Sequence, residues 1–162
     1  MHILMCNDDG ILADGLRQLS TYLSQYYRVT VVAPATEQSA KSHALTTEIP
    51  LKLDAYNGED ENPRLYALTG TPSDCMKFGL SYLLSDDMPD LVISGINHGF
   101  NLGSDVLYSG TVSAAMESCF YGIPGLALSV ERYSAERGAE MHPFIHELID
   151  KIYVKGQFSG LL

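Results

Sequence analysis

Basic residues are few: 10 Lys and Arg stand against 20 Asp and Glu, a formal net charge of -10. No basic cluster offsets this, so a nucleic acid polymer would meet a repulsive field and is not expected as a partner. Cysteine is equally scarce. Cys6, Cys75 and Cys119 are odd in number and widely spaced, with no CxxC or Cys/His ligand pattern. That argues against a disulfide framework or a zinc ribbon, and Cys6 and Cys119, set in apolar patterns, read as small core residues. No apolar run approaches the ~18 residues of a membrane span. The opening MHILMCNDDG has neither the basic region nor the cleavage site of a signal peptide. A cytoplasmic protein that does not enter a membrane is therefore expected. Internal repeats and low-complexity linkers are also missing.

What is present suits one globular domain over residues 1–162, since 46% of the chain is hydrophobic. The acidic field also constrains function. A small anionic substrate needs a local positive centre, either a cation or a ring of backbone N–H groups.

Hydrophobic patterning gives the order of elements. His2 to Asn7 reads as a buried strand, and Leu16, Leu19, Leu23 and Tyr26 recur at helical spacing. Arg28 to Ala33 is a second apolar, β-branched strand ended by Pro34. Ala35 to Thr47 reads as a loop. Ile49 to Leu53, the acidic turn Asn57 to Asn62, and Leu65 to Thr69 read as a hairpin excursion. Thr71-Pro72-Ser73-Asp74 has the form of a helix start with a capping box, continued by Met76, Leu80, Leu83 and Leu84. Leu91 to Ser94 is a short buried strand, followed by a glycine-rich loop from Gly95 to Gly110. Val112, Ala115, Met116, Cys119 and Phe120 form a helix stripe, Gly125 to Val130 another strand, and Ile145, Leu148, Ile149, Ile152 and Tyr153 a last helix. This order describes a doubly wound α/β sheet, in which ligands bind beyond the carboxyl ends of the strands.

Those ends carry the chemistry. Asp8 and Asp9 follow the first strand; adjacent acids there are costly unless paired or liganded. They can bind one cation if the chain turns, as Gly10 permits, or one can cap a helix while the other is solvated. Ser39 can offer a hydroxyl to metal or phosphate, or be a solvated loop serine. Lys41 and His43 suit a phosphate partner, a general acid or plain surface. The loop Ser94 to Asp105 holds Asn97 and Asn101 among three glycines; Asn carbonyl oxygens suit a hard cation, while Gly and Asn also serve turns. His98 is as well explained by proximity as by ligation. Ser109-Gly110-Thr111 opens a helix whose first N–H groups can hold an anion, be capped by Ser109 or Thr111, or both.

The motifs Asn7-Asp8-Asp9-Gly10, Gly70-Thr71-Pro72-Ser73-Asp74-Cys75, Ser94-Gly95-Ile96-Asn97-His98-Gly99 with Asn101-Leu102-Gly103-Ser104-Asp105, and Tyr108-Ser109-Gly110-Thr111-Val112 resemble the SurE family of 5'/3'-nucleotidases, in the family's order from Met1 to about Ile152. The resemblance implies a Rossmann-like, mostly parallel sheet with helices on both faces. It implies one divalent cation per subunit, Mg2+ or Mn2+, held by Asp8, Asp9, Ser39 and Asn97. It places phosphate near Asn101, Ser109, Gly110 and Thr111. The expected reaction is hydrolysis of nucleoside 5'- and 3'-monophosphates by a 5'-nucleotidase or acid phosphatase, in a homodimer or higher homo-oligomer. Two departures stand out. Ala40 follows Ser39 where the family usually has glycine. The chain also stops at Gln157 to Leu162, where the family adds a further strand and an exchanging C-terminal extension, so a shortened form is expected.

In the expected mechanism Asp8 and Asp9 hold the cation, Ser109, Gly110 and Thr111 steady the phosphoryl oxygens, and one of the two carboxylates is the candidate general base. Two rivals differ in class. A zinc deacetylase also places Asp-Asp after its first strand but needs histidine ligands, and no His-x-x-His pattern is present. A shortened, inactive domain would bind metal or nucleotide without turnover. A dinucleotide-binding domain is disfavoured, since acids and no GxGxxG follow the first strand.

Overall fold

The computed structural model describes residues 1–151. Its centre is β1 (His2–Cys6), a strand buried at every position. Successive side chains point to opposite faces, and the core divides accordingly. Ile3 and Met5 join Leu16, Leu19 and Leu23 of α1 (Asp14–Leu23) and Ile145 and Ile149 of α4 (Ala135–Ile149). Leu4 and Cys6 join Cys75 and Met76 of α2 (Pro72–Phe78) and Ala114 of α3 (Gly110–Cys119). Helices thus cover both faces, as a doubly wound sheet requires.

The remaining strands are β2 (Arg28–Pro34), β3 (Leu53–Ala55), β4 (Arg64–Leu68), β5 (Leu91–His98) and β6 (Gly125–Val130). Their spatial order is β3-β4-β2-β1-β5-β6. All neighbours are parallel except β3, which runs antiparallel to β4. The chain leaves β1 toward β2 and β4, then returns past β1 to β5 and β6. The switch point lies between β1 and β5, and a ligand crevice is expected beyond their carboxyl ends. This is the expected Rossmann-like, mostly parallel architecture.

Several details depart from the sequence reading. The hairpin excursion is part of the main sheet, because β4 pairs with β2. Its first strand begins at Leu53 rather than Ile49; Pro50 lacks an N–H for a ladder. Asn57 closes the turn, donating to Pro63 O and accepting from Leu65 N. The helix start at Thr71 has the full capping box: Thr71 Oγ1 accepts from Asp74 N, and Asp74 Oδ2 accepts from Thr71 N. Beyond Phe78 that helix widens into a π-helical turn, Gly79–Leu83.

The short strand expected at Leu91 to Ser94 runs on to His98, past a register shift between Ser94 and Asn97. The glycine-rich loop therefore begins late, and a 3-10 segment, Gly103–Tyr108, occupies its second half. The expected stripe on α3 is wrong at two positions. Met116 and Phe120 are exposed, while Gly110 to Ala115, Glu117 and Ser118 are buried. Small residues bring this helix close to its neighbours, and a Cβ at Gly125 would lie 2.3 Å from Ala115 O. Cys6 is fully buried as expected, whereas Cys119 is only half-buried. Ile152, Tyr153 and the segment from Gln157 to Leu162 lie outside the described residues. Among the described residues, no helix is long and apolar enough to cross a membrane.

Candidate active site

The turn after β1 is built by Asn7. Its buried side chain closes a ring with Gly10, donating Nδ2 to Gly10 O and accepting Gly10 N at Oδ1, both at 3.1 Å. Gly10 has φ +100, a conformation open to glycine. Ile11 N then bonds Pro34 O and Gln38 N bonds Asp8 O, tying the turn to the end of β2. A chain bent this way sends its two acids to different surroundings.

Asp8 is buried, and its Oδ1 accepts the Thr111 hydroxyl at 2.6 Å. A Cβ on Gly110 would lie 2.8 Å from Asp8 Cβ and 3.0 Å from Asp8 Oδ2. Only glycine lets α3 begin so close to this carboxylate. Asp9 is half-buried and accepts His98 N at 3.3 Å. Burial, and next the charge of Asp8, push its carboxyl above the ordinary carboxylate range, with the His98 N–H opposing and Glu37 adding to the rise. Asp9 lines a cavity of about 430 Å³ together with Asp14, Glu37, Ser39, His98 and Tyr133.

Ser39 thus shares a cavity with Asp9. It is exposed and donates to Glu37 Oε1 at 2.7 Å, which leaves its oxygen lone pairs free to meet a cation. Asn97, placed by the irregular end of β5, commits Nδ2 to Gly99 O, so its carbonyl oxygen is the atom left for a metal. Asn101 reaches the same strand end, donating to the hydroxyl of Ser129, the pairing partner of Asn97. Ser109 caps α3 by accepting Val112 N. The Gly110 and Thr111 N–H groups belong to the first turn, which has no intrahelical acceptors. The Thr111 hydroxyl, expected to face phosphate, is instead held by Asp8.

Of the looser candidates, Lys41 is exposed. His43, read as a phosphate partner or acid, pairs at 2.6 Å with buried Glu117. Glu37 and Tyr133 also line the cavity and belong to none of the motifs above. Tyr133 lies just past β6, so the strand-end rule would have found it; Glu37 sits in a polar loop without any pattern.

Ala40 adopts φ +58, in the left-handed region, at the position where the resemblance expects glycine. Such a conformation costs an alanine about 1–2 kcal/mol. Ala40→Gly is expected to raise stability by up to about 1 kcal/mol after the entropy of a freer unfolded chain is subtracted. A urea titration checks this, and a lower midpoint would contradict it.

The cavity brings Asp9 and Ser39 together, while Asp8 and Asn97 are not among its lining residues; carboxylate, hydroxyl and amide oxygens are the donor types that suit a hard divalent cation. Among the described residues no group of three or more His, Cys, Asp or Glu could hold a metal, which is unlike the His- or Cys-rich sets of zinc sites.

Comparison with known proteins bears on the family and the fold. The family model described as "Survival protein SurE" matches residues 3–159. The chain is 49% identical over 156 residues to the 5'-nucleotidase SurE of Thermoanaerobacter sp. (strain X514), covering 96% of this chain and 61% of that protein. It is 47% identical over 163 residues to the 5'-nucleotidase SurE of Thermosipho melanesiensis, covering 99% and 63%. The crystal structure of the SurE protein from Aquifex aeolicus superposes with a TM-score of 0.82 at 38% identity, over 94% of this chain and 60% of that one. This chain thus spans about three fifths of the length of these relatives. With its own motifs, fold and site geometry pointing the same way, the chain belongs to the Survival protein SurE family.

Proposed function

We propose that this chain is a metal-dependent phosphomonoesterase that hydrolyses nucleoside 5'-monophosphates, and 3'-monophosphates as well, to nucleoside and phosphate. The observation that carries the reading is the meeting of Asp8 with the start of α3. A cation-binding carboxylate and an anion-binding helix start are in contact, through the Thr111 hydroxyl at 2.6 Å. Relatives named 5'-nucleotidase SurE support the substrate class.

Asp8, Asp9, Ser39 and Asn97 would hold one Mg2+ or Mn2+. A cation held there would supply Lewis acidity toward a phosphoryl oxygen and would lower the pKa of a bound water. Thr111 fixes the orientation of Asp8. The Gly110 and Thr111 N–H groups, at the positive end of the α3 dipole, steady the phosphoryl oxygens, with Asn101 beside them. Ser109 contributes by capping the helix rather than by touching phosphate. Asp8 is buried with one oxygen engaged, whereas Asp9 lines the cavity, which supports Asp9 over Asp8 as the carboxylate that takes a proton from water. The homo-oligomer implied by the family remains part of the proposal and is read by light scattering.

The test is phosphate release from nucleoside monophosphates by this chain with Mn2+, Mg2+ or EDTA. Release in either metal and its loss in EDTA are expected. Release that persists in EDTA would overturn the metal assignment. Nucleotide binding by folded protein without release in any metal would leave a binding domain instead of an enzyme.

A further inference from the structure

The loop between β2 and β3 carries Ser39 but has little regular structure. Ala40 and Ser42 both have positive φ, +58 and +52. Non-glycine residues keep such conformations only where surrounding contacts over-determine them. On the near side of Ser39 the loop is held by Gln38 N on Asp8 O. On the far side, Ser42 bonds the backbone of Leu107 and Tyr108. His43 then places Nε2 at 2.6 Å from Glu117 Oε2, with its ring stacked on Phe120.

Glu117 is 5% exposed. Its other oxygen has the exposed Lys77 ammonium at 3.9 Å, so the short bond to His43 is its main partner. A charge-assisted bond to a buried carboxylate is stiff and directional. Glu117 also lies on α3, whose first turn packs on Asp8. The eight residues from Gly110 to Glu117 span about 10 Å of helix. One rigid helix therefore touches Asp8 at its start and the Ser39 loop two turns later.

We propose that His43, through Glu117, is a positioning residue that sets Ser39 in register with Asp8 and Asp9. The proposal rests on the metal site described above. The contacts of His43 are to Glu117 and Phe120, away from the proposed ligands themselves. His43 fixes the distance between two parts of the ligand set that come from different loops. The contact works with either ring protonation state that leaves a hydrogen on Nε2.

The test is Mn2+ affinity, measured by electron paramagnetic resonance titration of this chain. His43→Ala is expected to weaken binding about tenfold, the lower end for loss of an outer partner of a metal ligand. His43→Gln, which keeps a donor, is expected to recover most of that loss. In a Ser39→Ala background, His43→Ala should add almost nothing, because the two changes act through one ligand. Melting curves in EDTA establish that each variant is folded, and His43→Asn, too short to reach Glu117, replaces the alanine variant if that one does not fold. Unchanged Mn2+ affinity in folded His43→Ala or His43→Asn would overturn the proposal, as would an equal loss with and without Ser39. Failure of the metal reading itself looks different: Asp9→Ala would then bind Mn2+ as tightly as the unaltered chain.

Discussion

Asp9→Ala is expected to lower metal-dependent phosphate release by about 10³-fold or more, since cation stabilisation of the transition state is worth several kcal/mol and each 1.36 kcal/mol is a factor of ten. Asp8→Ala should lose activity as fully, yet the two variants should differ in stability. Asp8 is buried and accepts the Thr111 hydroxyl. Truncating it orphans that hydroxyl and opens a gap under Gly110, a loss of about 1–3 kcal/mol. Asp9 has the opposite balance. Its carboxyl is pushed up by burial and by Asp8, and an acid whose folded-state pKa is raised detracts from stability above that pKa. In EDTA at neutral pH, Asp9→Ala should therefore melt no lower than the parent chain, while Asp8→Ala melts lower. Turnover in Mn2+ and melting in EDTA, measured on both variants, separate the roles. Retained turnover in either one would remove that residue from the catalytic centre.

Gly95→Ala is expected to be the most damaging conservative change in the sheet. Gly95 has φ +126, and a Cβ there would stand 2.3 Å from Leu128 O and 3.1 Å from Asn97 N. Both obstacles are backbone, so relief requires β5 and β6 to part. Strained φ and overpacking together amount to about 2–5 kcal/mol, a large share of the roughly 5–15 kcal/mol that holds a domain folded. The register shift between Ser94 and Asn97 lies at this point, so any compensating movement also displaces Asn97. Urea unfolding of Gly95→Ala measures the first effect and Mn2+ affinity the second. A variant within about 1 kcal/mol of the parent, with unaltered Mn2+ affinity, would show that the sheet edge yields more easily than its packing suggests.

The buried strands were readable because parallel strands covered on both faces are continuous apolar runs, and β1 and β2 are such runs. Asp8 and Asp9 were readable because acids directly after a buried strand have few innocent explanations. The helix face of α3 was not. Its burial is carried by Ala114, Ala115 and Ser118, whose small side chains permit close backbone approach, and a search for large apolar residues picks Met116 and Phe120 instead. The length of β5 was hidden for a related reason, since Gly95 resembles loop punctuation while serving a bent strand. His43 looked like a phosphate or acid candidate; that its partner is Glu117, 74 positions away, depends on where α3 lies and has no local signature.

The ring that Asn7 closes on Gly10 has a consequence for how relatives of this chain can diverge. The turn bearing Asp8 and Asp9 is closed by its own Asn7–Gly10 pair and is further held by Thr111, His98 and Pro34, so the ordering of those two carboxylates is completed when the protein folds. Ser39 is in a different position, on an exposed loop whose geometry depends on a few outside contacts. Selection for tighter or looser cation binding therefore has little to adjust in the acidic turn and much to adjust around Ser39.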